Sequence, residues 1–241
     1  MNLEAVWHDL ECGGYWEDLP TWHALAARTG GPVLDVGAGT GRVTLELAGR
    51  GVEVVALDVD EALLAALECR AGELPVETLI ADAREFRVEE RFALIVVPMQ
   101  TLQLFGGRAG RSAFLRTALE HLKPGGLLAA AIADAMDCFD EEHVMPPPPD
   151  AREILGALYS SQLLTVEDDH GRAAIHRRRK IVGPDDRRET GDVVLLLDRL
   201  SARDLAEEGR AIGFIVEPNH EIPETEQFLG STVVVLRAPQ R

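Results

Sequence analysis

The sequence predicts an α/β protein: a doubly wound, mostly parallel seven-stranded sheet with an antiparallel meander inserted before its last helix. Three observations carry this. Between residues 32 and 134, short apolar runs alternate with helical patterns, the signature of parallel strands covered on both faces. The first run, Val33 to Val36, holds Asp35 and leads into three glycines at every second position, Gly37, Gly39 and Gly41. After residue 135 the alternation stops at a proline run, Pro146 to Pro149, and strand-like segments separated by turn residues follow.

Taken in order, Leu3, Val6, Trp7 and Leu10 have helical spacing that Gly13-Gly14 breaks, and Trp22 and Leu25 open a second helix ending at Gly30-Gly31. Residues 1–31 hold all three tryptophans and read either as a helical layer on the core or as a lid with Tyr15 near a ligand. The alternating α/β core, where ligand binding is expected, is 32–134. Val43 and Leu47 mark its first helix, Val52 to Asp58 a second strand, and Asp60 opens a helix burying Leu63, Leu64 and Leu67. Pro75 to Ile80 and Phe92 to Pro98 are the third and fourth strands. Leu115, Leu119 and Leu122 mark a helix stopped by Lys123-Pro124-Gly125-Gly126, and Leu127 to Asp134 is the fifth strand. Residues 135–200 are read as a loop plus three meander strands, Gln162–Val166, Ala173–Val182 and Asp192–Leu200. In 201–241, Ser201 with Asp204 caps a final helix, and Phe214–Ile222 and Ser231–Pro239 are two antiparallel strands. The whole, 1–241, is one domain.

A formal net charge of −17 argues against a duplex nucleic-acid partner and against anionic membrane surfaces. Cys12, Cys69 and Cys138 lie far apart without paired histidines, so no metal site is indicated. The acidic amphipathic start lacks the regions of a signal peptide, and the longest apolar run, Leu127 to Ala133, is too short to span a bilayer. A cytoplasmic location is the expectation.

The glycine turn lets a ligand approach the backbone closely. Its GxGxG spacing differs from the GxGxxG of nicotinamide-binding folds. Asp58, at the end of the second strand, suits a ribose diol in either case. Asp35 discriminates, because a carboxylate so close to a pyrophosphate is unfavourable whereas an ammonium would be stabilised by it. Asp82, just after the third strand, could accept from an exocyclic amine. Asp58 and Asp82, each taken alone, read equally as helix caps, and the lesser alternative for Asp35 is a turn carboxylate bonding loop amides.

Together these stretches resemble the class I S-adenosylmethionine-dependent methyltransferases, small-molecule branch, with a Rossmann-like fold. VLDVGAGTGRVTLELAGRG is similar to the family's first motif, Val54 to Asp58 to its ribose-binding acid, Ile80 to Ala83 to its adenine segment, and HLKPGG to its late turn. The resemblance implies S-adenosyl-L-methionine as cofactor. It assigns Asp35, Gly37, Ala38, Gly39 and Gly41 to the methionine part, Asp58 to the ribose, and Asp82, Ala83 and Val59 to the adenine. Pro98, Met99 and Gln100 would face the sulfonium.

The acceptor is expected to be a small metabolite with an N or O nucleophile. Tyr15, Gln100, His143 and Glu141 are candidate bases near the cofactor mouth. Small-molecule members of the family often carry a polar residue near position 104, where this chain has Leu104. His176-Arg177-Arg178-Arg179-Lys180 reads as a solvated strand edge or as a contact for an anionic acceptor. The meander would cover the acceptor and could pair two subunits as a homodimer. A cofactor-binding protein without turnover and, less favoured by the spacing, a nicotinamide oxidoreductase are the alternatives.

Overall fold

A computed structural model describes residues 2–134, 136–139, 146–225 and 228–240. Its larger sheet contains β1 (Val33–Val36), β2 (Val54–Asp58), β3 (Val76–Ile80), β4 (Phe92–Val97), β5 (Leu122–Ile132), β10 (Ile215–Val216), β11 (His220–Ile222) and β12 (Ser231–Arg237). The strand order is β3-β2-β1-β4-β5-β12-β10, and β11 also pairs with β12. β1 to β5 run parallel, and β12 lies antiparallel to β5. Pairing turns back at β1, between β2 and β4, which opens a crevice at the carboxyl ends of those strands.

Strand residues alternate between two apolar layers, which is why the runs read as continuously apolar. Val33, Leu94, Val96, Val233 and Val235 pack with Trp22 and Leu25 of α2 (Leu19–Thr29) and Val43 and Leu47 of α3 (Arg42–Ala48). Leu34, Val36, Ile95, Val97 and Val234 pack with Phe114 and Leu115 of α5 (Gly107–His121) and Leu205 of α6 (Ala202–Ile212). Leu64 and Leu67 bring α4 (Glu61–Ala71) onto Ala38 and Ala56. Caps fix the helix starts: Asp60 accepts from Ala62 and Leu63 N–H, and Ser201 from Asp204 N–H.

The structure corrects three element assignments. The meander has four strands, not three: β6 (Asp150–Ile154), β7 (Ala157–Asp169), β8 (Arg172–Val182) and β9 (Arg188–Asp198). β6 and β7 are joined by Leu155-Gly156 with φ of 52° and 78°. That is a two-residue hairpin turn whose first position ordinarily holds Asn, Asp or Gly, so the sequence carried no turn signal there. The expected strand Phe214–Ile222 breaks into β10 and β11 around Glu217-Pro218-Asn219, where Pro218 has no N–H to donate. Lys123 to Gly126, expected as a turn, lies inside β5 beside a register shift against Phe92 and Leu94.

α1 (Leu3–Cys12) is wedged between the large sheet's crevice and the meander. Trp7 meets Tyr159 edge to face, with centroids 5.6 Å apart, and Arg179 lies over the Trp7 ring. Glu11 takes two hydrogen bonds of 2.8 Å from Arg179 and a third from Ser161 Oγ. Arg177 bonds Asp150 and Ser161, and Arg178, on the opposite face, pairs with Asp192. The basic cluster thus acts largely as internal ion pairs, and Arg179 fastens α1 to the meander, which neither sequence reading anticipated. No helix among the described residues is long and apolar enough to cross a membrane.

Candidate active site

The crevice at the ends of β1, β2 and β4 holds a cavity of about 510 Å³. Asp35, Gly37, Ala38, Asp58, Val59, Asp82, Ala83, Pro98, Met99 and Gln100 all line it. The glycine turn has φ of 71°, 55° and 94° at Gly37, Gly39 and Gly41, a path that side-chain-bearing residues rarely follow. A Cβ at Gly37 would run into Thr101, and one at Gly39 into the His8 ring. Gly39 and Gly41 themselves lie outside the cavity wall, Gly39 against His8 and Gly41 against Leu67 at the start of α3. Asp58 ties the turn to β2: Gly39 N–H donates to its Oδ2 at 2.9 Å, and Asp60 N–H to its Oδ1 at 3.0 Å.

Asp35 is almost wholly buried. Thr44 Oγ1 donates to its Oδ2 at 2.7 Å, while Oδ1 has no partner. Burial pushes its pKa up to about 6, against the pull of the Thr44 hydrogen bond and Arg42, and Asp58 adds to the rise. Arg42 itself is clamped by Asp18 through bonds of 2.6 and 2.7 Å, and Trp22 Nε1 donates to the same carboxylate. Asp82 lines the mouth, but Arg84 Nε lies within 3.0 Å of both its oxygens, and these bonds hold its pKa below the usual range.

At the end of β4, Met99 adopts φ 53°, a left-handed conformation that costs a non-glycine residue roughly 1–2 kcal/mol. This bend turns the chain into the 3₁₀ segment Thr101–Leu104, whose Thr101 and Leu104 face the cavity. Of the candidate bases, Gln100 lines the cavity and Tyr15 does not. Tyr15 is buried beside Phe228, its hydroxyl 3.5 Å from Ser231 Oγ and its ring under Arg42. His143 and Glu141 lie outside the described residues.

Much of the remaining wall comes from residues to which the sequence reading gave no binding or catalytic role. α1 contributes His8, Glu11 and Cys12, the 3₁₀ segment and its end Leu104 and Phe105, and β9 Leu195 and Leu197. Burial pushes the Cys12 thiol up to about 11, so it stays protonated. The signal for α1 was present as an i, i+3, i+4 spacing of His8, Glu11 and Cys12, a second face beside the apolar one. Leu195 and Leu197 gave none, because which face of a meander strand meets the core depends on the docking of the whole sheet.

Residues 33–126 match a family model described as a methyltransferase domain. The cypemycin N-terminal methyltransferase of a Streptomyces species is 32% identical over 144 residues, 60% of this chain and 56% of that protein. The chain thus spans little more than half the length of that curated relative. Among solved structures, the sugar N-methyltransferase KedS8 from a Streptoalloteichus species aligns with a TM-score of 0.76 at 17% identity, over 97% of this chain and 91% of its own. CalS10, an amino pentose methyltransferase from Micromonospora echinaspora solved with S-adenosylmethionine, aligns with a TM-score of 0.72 at 20% identity, over 98% and 96%. At those identities the likeness shows the fold.

The residues that line the cavity fit S-adenosylmethionine. Asp35 Oδ1 is the buried side-chain oxygen without a hydrogen-bond partner among the described residues, and it belongs to the cavity wall beside the glycine turn. An ammonium there would satisfy the oxygen and compensate the carboxylate's burial.

Proposed function

We propose that the protein uses S-adenosylmethionine to methylate a nitrogen of a small metabolite by in-line displacement. The observation that carries the reading is the unpartnered Asp35 oxygen beside a glycine turn, with Asp58 one strand away. The choice of nitrogen is supported by the N-methyltransferases among the similar proteins. When bound, the cofactor supplies a methyl group activated by its sulfonium and a neutral leaving group. The chain's part is to hold, align and dry the reactants. Asp35 and the turn anchor the amino-acid end, Asp58 the ribose, and Val59, Ala83 and Asp82 the adenine. Leu104, Phe105, Leu195 and Leu197 form an apolar wall for the acceptor's body.

Calorimetry with S-adenosylhomocysteine tests the cofactor half of the proposal. Micromolar binding is expected, weakened by about 10–100-fold in Asp58→Ala, since two hydrogen bonds to a carboxylate are lost. Binding of NADH in place of S-adenosylhomocysteine would refute it. Turnover on a panel of primary and secondary amines, with hydroxyl compounds as controls, tests the acceptor half, and binding without any turnover would leave a cofactor-binding protein. For assembly we propose a homodimer through β9, one of the meander's two edge strands, where Val194 and Leu196 are exposed. Light scattering should give a dimer mass for the native chain and a monomer mass for Val194→Asp.

A further inference from the structure

His8 reaches the cavity from α1 with its ring against Gly39, and its tautomer follows from the hydrogen bonds behind it. Thr40 Oγ1 lies 2.7 Å from Asp9 Oδ1 and 3.1 Å from His8 Nδ1. Asp9 is ion-paired with Arg70, whose hydrogen bonds help hold its pKa below the usual range, so it is ionised and can only accept. Thr40 therefore spends its single hydroxyl proton on Asp9 and can only accept from His8. Nδ1 carries the imidazole proton, and in the neutral ring Nε2 is left with a bare lone pair.

The other titratable groups that line the cavity among the described residues are engaged. Glu11 is held by Arg179 and Ser161, Asp58 by two backbone N–H groups, and Asp82 by Arg84. Cys12 keeps its proton. Asp35 is the carboxylate that the proposed function gives to the amino-acid end of the cofactor. We infer that His8 Nε2 is the site's proton acceptor, taking a proton from an ammonium acceptor so that its nitrogen becomes nucleophilic. The inference rests on the reading of the protein as an N-methyltransferase.

The step balances. One proton passes from the ammonium nitrogen to Nε2, and the lone pair so freed bonds the methyl carbon. The carbon–sulfur bond breaks with its electron pair kept on sulfur, the positive charge moves to nitrogen, and His8 later gives its proton to water. Burial keeps His8 below the ordinary imidazole pKa, and Arg42 adds to that. Asp58 on β2 and Asp9 and Glu11 on α1 pull the other way and would steady the imidazolium while it exists.

Nitrogen-15 NMR of the imidazoles reads the tautomer without any acceptor. At neutral pH, His8 in the S-adenosylhomocysteine complex should show a protonated Nδ1 and a bare Nε2, and titrate below the ordinary histidine value. Thr40→Val should shift the population toward the Nε2–H form. A native His8 that is Nε2-protonated, or doubly protonated at neutral pH, overturns the inference while leaving the cofactor reading intact. Once the amine panel gives turnover, His8→Asn, which keeps a donor toward Thr40, should bind S-adenosylhomocysteine within about threefold of native. Its kcat should fall roughly 10²-fold or more and the acid limb of kcat/KM should vanish. An unchanged kcat and pH profile would equally overturn it. Failure of the entire panel, with native His8 in the Nδ1–H form, would instead count against the N-methyltransferase reading.

Discussion

Asp35→Asn is expected to make the cofactor-free protein more stable at neutral pH while weakening S-adenosylhomocysteine binding by tenfold or more. Both effects come from one buried carboxylate. Its folded-state pKa of about 6 lies above the value of 3.8 for a free aspartate, so the native state holds the proton more tightly than the unfolded chain does. The associated stability is fully present below pH 3.8, is lost as the pH rises through 6, and is absent at pH 7.5. A shift of that size corresponds to something on the order of 2–3 kcal/mol, most of which a neutral side chain restores. The amide still accepts from Thr44, but it brings an N–H group to where Oδ1 had no partner, which takes part of the gain back. A rise in Tm of a few degrees should remain. The same change removes the charge that would meet the ligand's ammonium. Thermal unfolding at pH 7.5 and at pH 4.5 measures the first effect, and the difference between variant and native protein should shrink at the lower pH. Calorimetry measures the second. Unchanged affinity in a folded Asp35→Asn protein would mean that the carboxylate serves only the turn.

That coupling explains why the cofactor half of the site was legible in the sequence. A buried acid near the end of an apolar strand, followed by glycines in left-handed conformations, is expensive, and cheaper residues would give an equally good strand and turn. The parallel core was legible for a related reason: each strand is covered on both faces, so burial appears as an unbroken apolar run. The acceptor half follows no such rule. β6 was hidden because Leu155, an exposed residue, fills a left-handed turn position that Asn, Asp or Gly ordinarily takes. α1 was read by its apolar stripe alone, whereas a helix caught between two layers buries polar groups on a second side. His8, Glu11 and Cys12 lie on that side. Arg177 and Arg179 looked like a charged edge because their partners, Glu11 and Asp150, are distant in sequence.

Arg111→Met should have the largest effect on stability, because it strands two carboxylates at once. Arg111 is itself buried. It donates through Nε and Nη2 to Glu208 at 3.0 and 2.8 Å and through Nη1 to Asp198 at 2.8 Å, and both acids are nearly as buried as the guanidinium. Removing one partner from such a group costs about 3–5 kcal/mol, since the charges left behind have lost their water as well as their counterion. Urea unfolding should show a loss of that order. The deficit should narrow as the pH falls and the orphaned acids take up protons, and it should largely disappear in Arg111→Met combined with Asp198→Asn and Glu208→Gln. Function should respond unevenly. Asp198 ends β9, whose Leu195 and Leu197 face the cavity, and its backbone oxygen accepts from Gln103 in the 3₁₀ segment that follows β4. Gln103 also bonds the backbone of Ala133 in both directions. The Arg111 cluster therefore sets the meander wall against the chain that presents Met99 to Leu104, and it touches neither Asp35 nor Asp58. A folded Arg111→Met protein should keep S-adenosylhomocysteine affinity within a few-fold and show a raised KM for the acceptor. A loss of cofactor affinity as large as that of Asp58→Ala would instead show that the two halves of the cavity are held as one unit.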